Sequence, residues 1–98
     1  MKIDPDAITL EEHGGRGRYV YHVNGMAAEM TFSRTASGVI VIDHTGVPRP
    51  LEGQGIAAAL VLKAVADARA AGAKILPLCS YVAAQFRRHP EWSDLLSA

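Results

Sequence analysis

Residues 39–79 read VIVIDHTGVPRPLEGQGIAAALVLKAVADARAAGAKILPLC. Two periodicities meet in this stretch. Val39, Ile40, Val41 and Ile42 are apolar on both alternating faces, the pattern of a central strand covered on both sides. Residues 39–43 therefore read as a strand. Pro48, Arg49 and Pro50 then break regular structure. Beyond them Ala57, Leu60, Val61, Ala64, Val65, Ala68 and Ala71 form one stripe at helical spacing, which predicts an α-helix over 57–71. Gly72 is placed to end it. The stripe is mostly alanine, so the helix axis can lie close to a sheet. Residues 74–79 return to an apolar β pattern, within which Pro77 demands an edge or an interrupted ladder. Strand, helix and strand in this order make a βαβ unit with two parallel strands.

Upstream of this unit the chain reads as hairpins. Residues 7–12 suit a short strand, and Gly14-Gly15 a turn. In 16–23, Tyr19, Tyr21 and Val23 alternate with Arg18, Val20 and His22, a period of two. Asn24-Gly25 suits a type I′ turn, because both central residues need positive φ. Met26, Ala28, Met30 and Phe32 then share one face of a strand over 26–34, and residues 35–38 turn the chain again. Downstream, Ser80 is placed to cap a short helix over 81–89, which Pro90 stops. The expected fold is α/β in the α+β sense: a mixed, mostly antiparallel sheet with a βαβ unit and a short C-terminal helix, as one domain over 1–98.

Composition narrows the function. The 98 residues carry a formal net charge of +0, which argues against binding nucleic acid through its phosphates. Hydrophobic residues make up 49% and charged residues 20%, a globular balance. The one cysteine has no partner for an internal disulfide. Asp4, Pro5 and Asp6 stand where a secretory signal needs an apolar run, and the longest apolar run, 56–62, is too short to span a bilayer. A cytoplasmic protein with no membrane partner is the expectation. His13, His22, His44 and His89 show no metal-ligand spacing, so no metal site is expected.

Four groups of residues can carry chemistry. Gly53, Gln54, Gly55, Ile56 and Ala57 lie between a strand and a long helix. Glycines there turn N–H groups toward a ligand, and the helix start adds unpaired donors and a positive dipole end. The loop suits a pyrophosphate, or it merely leads into the helix. Cys79 ends a strand and precedes a helix, where a thiol tends toward a lowered pKa; it also suits a buried structural position. His44 follows the central strand, as a base or as a hydrogen-bonding partner of the backbone. Arg87 and Arg88 can pair with a ligand phosphate or form a solvated basic face.

Read together, these segments resemble a known family. His44-Thr45-Gly46-Val47-Pro48, then Gly53-Gln54-Gly55-Ile56-Ala57, then Pro77-Leu78-Cys79-Ser80-Tyr81-Val82, then Arg88-His89-Pro90-Glu91 resemble, in order, the segments of small, single-domain GCN5-related N-acetyltransferases. The resemblance spans 16–96. It implies a truncated form of that fold, whose sheet is splayed between the strands at 39–46 and 74–79. The pantetheine arm of coenzyme A would lie in the splay as an added strand. The diphosphate would sit on the N–H groups of Gly53 to Ala57, the N–H near Val47 would polarise the thioester carbonyl, and Cys79 would lie near the thioester. The implied ligand is acetyl-CoA, with an unidentified amine as acceptor. Cys79 and His44 are the catalytic candidates, and Arg87 and Arg88 candidates for a phosphate. Two departures stand out. Glu52 replaces the Gln or Arg that commonly begins the loop, and Phe86 is the nearest apolar equivalent of the tyrosine that serves many relatives as general acid, while Tyr81 lies at the wrong end of the helix. The alternative is a module that binds coenzyme A without transferring an acetyl group.

Overall fold

The computed structural model describes residues 3–97. Five strands form one sheet in the order β1-β2-β3-β4-β5. They are β1 (Ile8–His13), β2 (Arg16–Val23), β3 (Met26–Arg34), β4 (Ile40–Gly46) and β5 (Ile75–Pro77). The first three pairings are antiparallel and β4 pairs with β5 in parallel. The architecture is the expected mixed, mostly antiparallel sheet. Asn24 and Gly25 both take positive φ, 52° and 75°, so the β2–β3 hairpin closes on the residues that tolerate that turn. Helix α1 (Ile56–Ala71) crosses from β4 to β5. It ends where Gly72 turns left-handed and the Ala73 N–H donates back to the Ala68 carbonyl at 2.9 Å, a Schellman closure. Helix α2 (Ser80–Arg88) follows β5, and a 3-10 segment, Pro90–Leu95, closes the fold.

One face of the sheet carries the core. Tyr19, Ala28, Met30, Phe32, Ile40, Ile42 and Ile75 join Leu60, Val61, Ala64, Val65 and Ala68 of α1 and Val82 and Phe86 of α2 in one buried cluster. Both helices therefore lie on the same side. The alanine stripe of α1 lets it settle onto β2, β3 and β4. Tyr19 ties the layers together: its hydroxyl donates to Asp67 on α1 at 2.9 Å. The opposite face is mostly polar, with Val20 buried among its side chains. Glu11, Arg18, Glu29 and Thr31 lie on it, and Arg18 donates to both glutamates.

Several boundaries differ from the sequence reading. The strand at 39–43 is Ile40–Gly46, and only one of its faces is covered: Ile40 and Ile42 are buried while Val39 and Val41 are half-buried. An apolar alternation reports that a strand can be covered twice, not that a second layer exists. The strand at 74–79 is only Ile75–Pro77. The N–H groups of Leu78 and Cys79 both donate to the Ile42 carbonyl, at 2.9 and 3.0 Å, and the ladder stops there. Since Leu78 N–H points at β4, the nitrogen of Pro77 faces the outer edge of the sheet, where its missing hydrogen costs no ladder bond. Helix α2 starts at Ser80, with Cys79 rather than Ser80 at the N-cap. No helix among the described residues is long and apolar enough to cross a membrane.

Candidate functional site

The turn into α1 is built from glycine. Gly53 and Gly55 take φ of 79° and 82°, a region most side chains avoid. Gly55 occupies the N-cap, and no side chain caps the helix. The first bond of the helix runs from the Ala59 N–H to the Gly55 carbonyl. The N–H groups of Ile56, Ala57 and Ala58 therefore have no partner inside the helix, and α1 presents its positive end unblocked. A cavity of about 470 Å³ opens onto this end, lined by Gly53, Gly55, Ala57 and Ala58 on one side and by Thr45, Val47 and Tyr81 on another.

The second wall exists because β4 and β5 part company. Their pairing covers Ile40–Ile75, Val41–Leu76 and Ile42–Pro77 only, whereas β4 continues to Gly46. Residues 43–46 thus leave a strand edge without a strand partner on the β5 side. Cys79 sits across that opening, half-buried, with Sγ 3.5 Å from Thr45 Oγ1. Burial pushes the Cys79 thiol up. The Thr45 hydroxyl and the N–H groups of Val82, Tyr81 and Thr45 pull it down, and the thiol lies below its ordinary value.

A bulge decides which side chains meet the cavity. Thr31 pairs with His44 and Phe32 with Ile42, so Asp43 is the extra residue. Simple alternation would set His44 on the face of Ile42. The bulge instead aligns Thr45 with Met30, on the helix-covered face, and His44 with Thr31, on the open polar face. His44 is exposed and does not line the cavity. Asp43 accepts a hydrogen bond from the Thr31 hydroxyl.

Of the other candidates, Val47, Gly53, Gly55, Ile56 and Ala57 all line the cavity, and Gln54 does not. Arg87 and Arg88 are exposed on the last turn of α2, outside the lining. Arg88 still acts on the cavity wall. Burial raises the Tyr81 phenol, and the Arg88 charge partly opposes it. Glu52 also lines the cavity. Phe86 is buried, with its ring edge-on to Trp92 at 5.2 Å. Thr45, Leu51, Ala58 and Tyr81 also line the cavity; the sequence reading assigns none of them a site role, although Thr45 and Tyr81 stand within the segments that carry the resemblance. Thr45 needed the bulge, and Leu51 the 3-10 turn Arg49–Leu51 that buries it. Ala58 is a further N–H of the same helix turn.

The arrangement offers backbone donors for an anion at one end, a free strand edge for an extended chain beside them, and a thiol with a lowered pKa at the far side. Among the described residues no three His, Cys, Asp or Glu side chains converge on a metal position. The profile of the GCN5-related N-acetyl-transferase family matches residues 18–95. Among solved structures, the solution structure of a GCN5-like N-acetyltransferase candidate from Staphylococcus aureus is similar, with a TM-score of 0.65 and 27% identity over 94% of this chain and 90% of that one. No curated protein matches the chain.

Proposed function

The chain belongs to the GCN5-related N-acetyltransferase family, and from that membership we propose that it binds acetyl-CoA in the cavity between α1 and the parted strands and passes the acetyl group to an amine. The observation that carries this reading is one continuous cavity, bounded by the uncapped start of α1 and by Thr45, the residue in contact with Cys79. An anion and a thioester held together need both ends.

Acetyl-CoA supplies an activated acyl group as its thioester. The chain's own residues do the rest. The N–H groups from Gly53 to Ala57 bind the diphosphate, as helix starts do. Gln54 contributes through its backbone in the same loop. The free edge of β4 pairs with the amides of the extended arm, and the N–H near Val47 polarises the carbonyl. Cys79 either gives its proton to the departing thiolate or takes the acetyl group before the amine does. His44, on the open face, meets an amine arriving from that side and accepts its proton. Arg87 and Arg88 draw the phosphates toward the cavity by charge. Glu52 opposes them. The acceptor amine is unidentified; the open face carries a second cavity of about 330 Å³, bordered by Glu11, Arg18 and Thr31.

A calorimetric titration with acetyl-CoA, followed by intact mass after incubation, tests the reading. Saturable binding supports it, and absence of binding removes it. A mass gain of one acetyl group that disappears in Cys79→Ala selects the acyl-cysteine route. A second reading has its own observation: Phe86, where relatives carry an acid, is buried against Trp92 and has no hydroxyl. Binding without coenzyme A release across a panel of primary amines would favour a module that holds acetyl-CoA without transferring the acetyl group.

A further inference from the structure

Cys79 and Thr45 come from the two lips of the opening, one at the start of α2 and the other on β4 past the last paired residue. Their side chains are in contact at 3.5 Å. Thr45 also lines the cavity that Cys79 stands behind. We propose that Thr45 is the positioning residue for Cys79, its hydroxyl holding the sulfur behind the Thr45 wall of the cavity and donating to it when it is a thiolate. The proposal rests on the functional reading above and deepens it: the sulfur's place and charge are set from β4, not by α2 alone.

The chemistry follows from donor and acceptor roles. With a protonated thiol either atom can donate. With a thiolate only the hydroxyl can, so the contact strengthens as the proton leaves. Among the described residues, the groups that lower this thiol are a hydroxyl and backbone N–H donors. From α2 the neighbour is the Tyr81 phenol, which couples to Cys79 and is itself acted on by Arg88. From β4 the neighbours are the Thr45 hydroxyl and N–H. Glu52 lines the cavity that Thr45 also lines, and His44 faces the other side of the sheet. Among the influences that lower the thiol, the Thr45 hydroxyl is the largest, ahead of the N–H groups of Val82 and Tyr81.

Because the chain has one cysteine, alkylation by iodoacetamide followed by intact mass reads this sulfur directly. The rate is measured against pH for the wild type, Thr45→Val, Thr45→Ala and Thr45→Ser, each checked for fold by circular dichroism. Valine keeps the shape and removes the hydroxyl. Its titration midpoint should move to higher pH, and so should that of alanine. Each unit of movement removes about tenfold of the thiolate at neutral pH. The remaining thiolate is more nucleophilic, so the rate at pH 7 should fall about threefold per unit. Serine restores the hydroxyl and should return the midpoint toward the wild-type value. An unchanged midpoint in folded Thr45→Val or Thr45→Ala overturns the proposal. So does an equal shift in Thr45→Ser, which would mean that packing, not the hydroxyl, matters. The measurement needs no acetyl-CoA. A wild type that fails to bind acetyl-CoA would sink the functional reading while leaving the Thr45–Cys79 relation to stand or fall on its own titration.

Discussion

Thr45 Oγ1 and Cys79 Sγ meet at 3.5 Å across the point where β4 and β5 separate. That contact lines up three features: a strand edge with no partner, a helix start with no cap, and the cavity between them. Each feature can be disturbed separately.

Gly55 is the first lever. It holds φ of 82° at the N-cap of α1, and a Cβ built there meets nothing within 4 Å. A side chain at this residue costs backbone strain of about 1–2 kcal/mol rather than a clash, and Asn tolerates the region best. Gly55→Asn should remain folded and lose acetyl-CoA affinity modestly. Gly55→Asp adds a negative charge at the same place and should weaken binding about tenfold or more. Calorimetry on the pair separates charge from shape, and equal affinities in both would remove the diphosphate from this loop.

Glu52 points the other way. It lines the cavity and carries the same sign as a diphosphate. Glu52→Gln should tighten acetyl-CoA binding by about threefold at low ionic strength, with the gain shrinking as salt screens it. Titrations at two salt concentrations check both the sign and the screening.

Tyr19 is a test of the scaffold. Its buried phenol donates to Asp67, which also pairs with Lys63 at 3.0 Å. Tyr19→Phe should cost about 1 kcal/mol, a drop of about 4–8 °C in Tm for a domain of this size. Burial, then the hydrogen bond to Asp67, holds the phenol above its ordinary value of 10.0. The protonated form is therefore favoured by folding. The associated stability is fully present below pH 10 and drains away as pH climbs above it. Thermal melts should show a steeper alkaline decline in the wild type than in Tyr19→Phe.

Gly17 is constrained by packing. A Cβ there would lie 2.5 Å from the Phe32 ring and 2.9 Å from Glu12. Phe32 is buried and has little room to give. Gly17→Ala should destabilise by about 1–3 kcal/mol, read as a lower urea midpoint with unchanged slope. An unaltered midpoint would mean that the ring moves aside freely.

The hairpin at Asn24-Gly25, the stripe of α1 and the glycine loop were legible because each is written in local residue choice. What escaped the sequence depends on partners. The half-open face of β4 could not be read from Val39 and Val41, since alternation says nothing about a missing layer. The bulge at Asp43 is invisible locally, yet it moves His44 to the open face and brings Thr45 to the cavity. Cys79 at the N-cap of α2 follows from where the ladder with Ile42 stops, a contact between residues far apart in the chain. The thiol was legible as a candidate, but its partner was not.

The central claim is that acetyl-CoA occupies the cavity joining the start of α1 to the opening beside Cys79. Amide chemical-shift mapping tests it most directly, with the uniformly labelled protein titrated with acetyl-CoA. Saturable shifts concentrated at Thr45, Val47, Gly53, Gly55, Ala57 and Tyr81, with the open face around Arg18 and Glu29 little changed, are the predicted result. No saturable shift at these amides, or a shift pattern centred on the open face, would contradict the account.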